Sequence, residues 1–282
     1  MMAITVSLIN MKGGVGKSTL SVNLAWHYAA YSDWLKKVLV VDLDPQFNAS
    51  QYLVGVTKYQ EHLTDGKPTM WEILEQHTTT PTGKIGKLDP QEAIRPVRTI
   101  RGDGKIDLIP SRLELALSLK NPGHKVDLLK NALRKVESDY DLIIIDCAPT
   151  ESILTTAAYL ASDYILVPVK PEYLSTIGLP LLVNSMEDFL QRYEDSSLEL
   201  AGIVFNGCSG YAPEEVRSKT EVKNMAAANG WHVFSSEISY SKSYPKGARE
   251  GQPIFRTSYA RTTAASNFRQ FASEFATQIG LT

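Results

Sequence analysis

Three glycines, two lysines and two hydroxyls share one short loop near the amino terminus, Met11-Lys12-Gly13-Gly14-Val15-Gly16-Lys17-Ser18-Thr19. Those residue types at that spacing suit phosphate binding. Glycines let backbone N–H groups turn inward around phosphate oxygens. A helix start behind them adds unpaired donors and a partial positive charge. In such a loop Lys17 reaches the β- and γ-phosphates of a nucleotide, with Gly13, Gly14, Val15 and Gly16 cradling it and Thr19 beside it. The Ser18 hydroxyl is placed to hold Mg²⁺. One position departs from the ordinary pattern. The place five residues before Gly16 is Met11, and Lys12 follows it. Lys12 lies at the far end of the loop from Lys17, so the two cannot easily serve the same role on one nucleotide. On spacing alone, Lys12 is either a second phosphate cation or a solvated loop residue.

Carboxylates stand where such a site needs them. The run Val40-Val41-Asp42-Leu43-Asp44-Pro45-Gln46 ends a strand with two acids on one face, because side chains alternate. If that strand lies beside the first, both acids point toward the γ-phosphate. A carboxylate there orients the attacking water, and phosphoryl transfer asks for little more from a protein. The plain alternative is a strand-ending turn, where Asp and Pro are common. Farther on, Leu142-Ile143-Ile144-Ile145 ends in Asp146, a second strand closed by an acid. A carboxylate at the end of a buried strand is costly unless paired, and magnesium and a lysine supply the pairing. Asp141 opens that strand at its far end and reads as structural.

The elements that must position these residues follow from the hydrophobic pattern. Apolar runs at Ile4–Ile9, Val38–Leu43, Ile106–Ile109, Leu142–Ile145, Tyr164–Val169 and Leu200–Phe205, with a weaker one at His232–Phe234, alternate with helical stretches. Runs buried on both faces predict an α/β fold, a doubly wound and mostly parallel sheet with helices on both faces. Ligand then sits at the carboxyl ends of the strands. Helices are expected over Leu20–Tyr31, Leu113–Leu119, Val126–Val136, Leu179–Leu190 and Thr263–Ile279. On the last, Ala264, Phe268, Phe271, Phe275 and Ile279 form a core stripe. The stretch from about 54 to 105 reads as a polar surface excursion with one short helix around Met70–Leu74.

The chain has 282 residues and a formal net charge of −2. No Pro/Gly/Ser-rich linker divides it, so residues 1–282 are read as one domain. It carries no long apolar run and opens directly into a strand, which predicts neither a membrane span nor a signal peptide. Cys147 and Cys208 are the only cysteines. They show no metal spacing and fit a reducing cytosol. A chain with slight net acidity binds nucleic acid only through a local patch. Between Ser241 and Gln270 lie Lys242, Lys246, Arg249, Arg256, Arg261 and Arg269 against one acid, Glu250, with Tyr240, Tyr244 and Tyr259 interleaved. These six cations are the candidate DNA contacts, the alternative being a solvated face.

The Lys12/Lys17 loop, the Asp42–Gln46 segment and Asp146 together resemble the ParA/Soj family of partition ATPases, of the deviant Walker ParA/MinD group. Further segments resemble it in order: Ile106–Ser111, Val167–Glu172 with Ser175 and Gly178, Ala201–Asn206, and Gly251–Ile254 before the last helix. The likeness runs from about Ile4 to Ile279. Ala148-Pro149 stands where the family commonly has Pro-Pro. No helix-turn-helix segment precedes the loop, as in the family's small form. The resemblance implies the cofactors ATP and Mg²⁺, an ATP-bound homodimer and slow hydrolysis stimulated by a ParB-like adaptor. It implies that Lys12 reaches the partner's nucleotide, that Asn206 contacts adenine, and that Asp42 and Asp146 surround the metal while Asp44 positions water. It also implies non-specific DNA binding in plasmid or chromosome partition, at a nucleoid-associated place in the cytoplasm, without stable membrane association. A ParA-like positioner of another cargo shares these features. A MinD-like membrane-cycling ATPase wants a basic amphipathic C-terminal helix, which the aromatic stripe argues against. A nitrogenase-reductase-like carrier wants cluster cysteines, and a purely DNA-binding protein has no use for the nucleotide site.

Overall fold

The computed structural model describes residues 2–31, 33–76, 79–80, 83–84, 87–100, 102–119, 125–172, 175–210, 212–258 and 262–281. Its strands are β1 Ile4–Leu8, β2 Lys37–Leu43, β3 Thr79–Thr80, β4 Gly83–Lys84, β5 Arg95–Thr99, β6 Lys105–Ile109, β7 Leu142–Cys147, β8 Tyr164–Val169, β9 Glu199–Cys208 and β10 Ile238–Ser239. Eight of them form one sheet in the order β10-β9-β8-β1-β7-β2-β6-β5, parallel except for β5, and β3–β4 is a separate hairpin. The expected doubly wound architecture is therefore present. One conditional expectation is corrected: β2 does not lie beside β1. Strand β7 stands between them and pairs with both, which sets Asp42 level with Asp146. The chain leaves β1 toward β2 on one side and leaves β7 toward β8 on the other. The carboxyl ends of β1 and β7 thus flank the crevice where the topology reverses.

The helices are α1 Lys17–Ala30, α2 Asn48–Val54, α3 Val56–Thr64, α4 Met70–Glu75, α5 Pro90–Ala93, α6 Val126–Leu133, α7 Ile153–Ala161, α8 Ser175–Arg192, α9 Pro213–Ala228, α10 Ser243–Glu250 and α11 Thr262–Ile279. Leu113–Leu119 is a 3₁₀ segment rather than an α-helix, and the helix begun at Val126 stops at Leu133. Alternation splits the strand side chains between two cores. Val38, Val40, Leu142 and Ile144 join one, and Leu39, Val41, Ile143 and Ile145 join the other. The expected stripe of α11 is buried in the first core, where Tyr28 of α1 also donates to the Ala272 carbonyl at 2.6 Å.

The excursion at 54–105 departs from expectation. It supplies α3, α4, α5 and the antiparallel edge strand β5, and it buries Tyr59, Met70, Ile73 and Leu74. Thr69 and Glu72 close a capping box over α4, a T-x-x-E signature that fixes where that helix begins. Strand β5 carries Pro96, which an edge position tolerates. The weak strand expected at His232–Phe234 is only an isolated bridge from Val233 to Ile203. The partner of β9 is Ile238–Ser239 instead.

Candidate nucleotide and phosphate site

Strand β1 delivers the chain to the loop, and Asn10 anchors the turn. Its amide donates to the Pro168 carbonyl at 2.9 Å, and its Oδ1 accepts the Lys12 N–H at 2.8 Å. Helix α1 then starts at Gly16, in left-handed backbone at φ 95°, with no side chain capping the helix end. The first-turn N–H groups of a helix have no partner within it, and here neither an acid nor a capping side chain answers them. A phosphate supplies what the sequence withholds. Gly16 is required twice over: an L side chain is strained at that φ, and a Cβ would lie 2.2 Å from Asn206 Nδ2.

Lys17 is buried and folded back on the loop, its ammonium 2.9 Å from the Asn10 carbonyl and 3.3 Å from that of Lys12. Burial lowers its pKa, opposed by the nearby charges of Asp146 and Asp44. An anion in the crevice favours the charged form further. A cavity of about 640 Å³ opens here, lined by Gly13, Gly14, Gly16, Lys17, Ser18 and Thr19, and across from them by Asp44.

Asp146 and Asp42 are both fully buried register neighbours on β7 and β2. Burial raises both pKa values; the charge of Asp146 adds to the rise at Asp42, and that of Asp44 to the rise at Asp146. Asp42 is answered within the fold. Its Oδ2 accepts the Ser50 N–H at 2.8 Å and the Ser50 hydroxyl at 2.7 Å, and its Oδ1 the Asp44 N–H at 3.2 Å. Asp146 is answered only in part: Oδ1 accepts the Ser21 hydroxyl at 3.2 Å, and Oδ2 meets no hydrogen-bond donor among the described residues. A buried carboxylate oxygen without a partner, beside Ser18 at the cavity, is the donor set a hard divalent cation takes. The residues fit Mg²⁺. Asp44 spends Oδ1 on the Gln46 N–H at 2.9 Å and lines the cavity.

Lys12 is a quarter exposed and ion-paired to Glu172 at 3.2 Å, while Glu172 also pairs with Lys170. Within one chain it is held away from Lys17's task. Asn206 lies behind the loop, where its amide donates to the Val15 carbonyl at 2.7 Å; neither Asn206 nor Val15 lines the cavity. Asp141 is structural as read, accepting the Lys37 N–H at 2.7 Å.

The six basic candidates do not share one environment. Arg249 lines the nucleotide cavity. Arg256 lies over the Trp26 ring and Arg269 over the Tyr31 ring, both on α1 or at its end. Lys246 pairs with Glu250 at 3.8 Å, Lys242 is exposed at the start of α10, and Arg261, with Tyr259, falls outside the described residues. Sequence reasoning missed the far wall of the cavity, where Asn48, Gln51, Tyr52 and Gly55 follow Asp44. The polar residues Asn48, Ser50 and Gln51, close after Gln46, were the available signal. Elsewhere, Cys208, Glu215 and Glu237 converge. The ammonium of Lys219 already sits on that cluster, 2.7 Å from Glu215 and 2.5 Å from Glu237. No helix among the described residues is long and apolar enough to cross a membrane.

Comparison with known proteins shows the family and the fold. The AAA_31 family model, described as an AAA domain, matches residues 3–200. The chain is 30% identical over 258 residues to the sporulation initiation inhibitor protein Soj of Bacillus subtilis, covering 88% of this chain and 89% of that one. It is 29% identical over 280 residues to the chromosome-partitioning ATPase Soj of Treponema pallidum, covering 98% of each. Among solved structures, an ATP complex of Cyanothece McdA superposes with a TM-score of 0.76 at 18% identity, over 100% of this chain and 98% of that one, a likeness of fold.

Proposed function

The chain belongs to the AAA_31 domain family and its Soj/ParA group of P-loop ATPases, and on that premise we propose that it is an ATP-switched, dimerising ATPase that binds DNA without sequence preference and positions a cargo in partition. The observation that carries this reading is the uncapped start of α1 facing a cavity that also presents Lys17, Ser18 and Asp44, with Asp146 buried beside it. Phosphate oxygens of ATP take the loop and first-turn N–H groups of α1, and the Lys17 ammonium turns from the Asn10 carbonyl to the β- and γ-phosphates. Asp146 and the Ser18 hydroxyl would hold Mg²⁺, with Asp42 braced behind by Ser50; the ion supplies charge neutralisation of the phosphates when bound. Asp44 orients the attacking water. Lys12 leaves Glu172 and reaches the nucleotide of a second copy, which ties dimerisation to the γ-phosphate. A ParB-like adaptor stimulates turnover, and the exposed Lys242 and Arg269 are DNA contacts.

Mixing Lys12→Ala with Asp44→Ala tests the arrangement. In the mixed dimer one site keeps its Asp44 and receives Lys12 from the other chain. A cation supplied in trans to phosphoryl transfer is worth about 10³–10⁵ in rate. Activity should therefore appear in the mixture and be absent from either variant alone. Inactivity in proven mixed dimers would refute the trans role. DNA retention that needs ATP, and falls steeply with salt for all sequences alike, is the companion result; no retention at low salt removes the DNA part of the reading.

A further inference from the structure

Phe47 stands three residues after Asp44, in backbone that its type avoids. Among the described residues, glycines aside, only Leu35 and Phe47 have φ in the left-handed region, at 46° and 48°. Leu35 precedes β2, at the end of the sheet away from the crevice. Phe47 is the residue from which α2 starts, with ψ 31°. A residue in that place ordinarily has extended backbone. A side chain with a Cβ is disfavoured in left-handed backbone by roughly five- to thirtyfold. The strained residue closes the turn that carries Asp44. The Phe47 N–H donates to the Asp44 carbonyl at 2.8 Å, and the Phe47 carbonyl accepts the Gln51 N–H at 3.1 Å, the first link into α2. Inside the turn, the Gln46 N–H reaches Asp44 Oδ1 at 2.9 Å. If φ and ψ leave the left-handed region, the turn on one side of Phe47 and α2 on the other cannot both stay where they are.

The ring supplies what the backbone lacks. Phe47 does not line the nucleotide cavity, whereas its neighbours Gln46 and Asn48 do. Its side chain stacks instead on Tyr59 of α3, with ring centroids 5.1 Å apart and planes 19° apart. Tyr59 is buried and donates its hydroxyl to the Ser111 carbonyl at 2.8 Å, and the Ser111 N–H donates to the Ser50 hydroxyl at 3.0 Å. The stack therefore rests on the same scaffold that braces Asp42 through Ser50. An aromatic pair favours its own geometry by about two- to tenfold, the same order as the backbone penalty it opposes. We propose that Phe47 is a positioning residue for hydrolysis: its stack on Tyr59 holds the turn from Asp44 to Phe47 in the strained form and so aims the Asp44 carboxylate into the cavity. This rests on the water-orienting role proposed above for Asp44.

Single-turnover hydrolysis at saturating ATP and Mg²⁺ tests this in wild type, Phe47→Ala and Phe47→Gly, with ATP affinity measured beside it. Both variants lose the ring, but only glycine enters the left-handed region without steric cost. Phe47→Ala should lower the rate about tenfold, and Phe47→Gly should regain about fivefold of that loss. ATP affinity should stay at the wild-type level in both, because Phe47 does not line the cavity. A ring kept only for packing gives the opposite order, since glycine leaves the chain looser than alanine. A glycine variant no faster than the alanine one therefore overturns the proposal, and so does an unchanged rate in Phe47→Ala. If Phe47→Ala does not fold, Phe47→Leu against Phe47→Asn repeats the contrast, because asparagine tolerates left-handed backbone better than leucine; leucine matching or exceeding asparagine overturns it. Asp44→Ala keeps the two readings apart. Wild-type turnover in that variant removes the role of Asp44 and this proposal with it. Turnover that depends on Asp44 but falls alike in the alanine and glycine variants refutes Phe47 alone.

Discussion

Gly16→Ala separates backbone strain from steric conflict at the phosphate loop. Gly16 sits at φ 95° and ψ 22°, and a residue with a Cβ costs roughly 1–2 kcal/mol in left-handed backbone. The added methyl would also lie 2.2 Å from Asn206 Nδ2. The amide must then leave the Val15 carbonyl, which it holds at 2.7 Å, giving up a bond worth about 1 kcal/mol. The two terms sum to roughly 2–3 kcal/mol of folding stability. Asn206→Ala alone breaks the same bond and should cost about 1 kcal/mol. The double variant breaks it only once, so it should be about as stable as Gly16→Ala, with a coupling of about 1 kcal/mol between the sites. Urea denaturation of the four proteins without nucleotide measures every term. Losses that simply add would refute the steric account, and near-normal stability in Gly16→Ala would refute the strain as well.

Three further outcomes follow from titratable groups, two of them buried and one at the surface. Asp146 titrates above its ordinary value of 3.8 in the folded chain, so between the two pKa values the folded state holds a proton that the unfolded state lacks. Stability therefore falls as pH rises across that window and stays lower above it; Asp146→Asn should melt higher than wild type at neutral pH without added nucleotide, by about 2–4 °C per kcal/mol, and a lower melting point contradicts this. His27 runs the other way: burial foremost, then Arg269, lowers its pKa from 6.5 to about 4. The unfolded chain gains a proton that the folded one refuses, so up to roughly 3 kcal/mol is lost as pH falls from about 6.5 to 4; His27→Phe should flatten that slope in a melting series, and an unchanged slope rejects the assignment. Glu172 is half exposed where it holds Lys12, a pairing worth at most about 1 kcal/mol. Glu172→Gln should tighten the ATP-dependent dimer by up to about fivefold in sedimentation equilibrium and leave ATP affinity unchanged; a weaker dimer would show that Glu172 supports the assembly instead.

Much of the fold was legible because its signals are local. Runs such as Leu142–Ile145 are apolar on both faces, the pattern of a strand covered on two sides. The phosphate loop was legible for the same reason, since its glycines, lysines and hydroxyls are consecutive. What escaped is set by pairing over long sequence distance. Strand order is not written in any one strand, so β7 between β1 and β2 could not be read from Ile4–Ile9 or Val38–Leu43. Strand β5 escaped because an edge strand with half-buried, charged residues and a proline has neither alternation nor an apolar run. The basic residues after Ser241 looked like one patch because they are close in sequence. A short helix, a 3₁₀ turn and a long helix send Arg249, Arg256 and Arg269 to different neighbours.

The strand order also changes what the two strand-end acids do. With β2 beside β1, Asp42 would have faced the phosphates. With β7 interposed, Asp42 stands level with Asp146, separated by 104 positions in sequence and by one strand spacing in the sheet. Two buried carboxylates that close raise each other's proton affinity, and Ser50 relieves only Asp42. Asp146 keeps one oxygen with no donor among the described residues, and burial outweighs the Ser18, Lys17 and Ser21 interactions that favour its charge. Positive charge brought to the crevice therefore stabilises β7, β2 and the start of α1 together. A ligand moves an equilibrium only by its differential affinity for the two states. Here the loop, both acids and α2 meet at one point of the sheet, where Asp42 is tied to α2 through Ser50, so a cation bound beside Asp146 would bear on that tie as well.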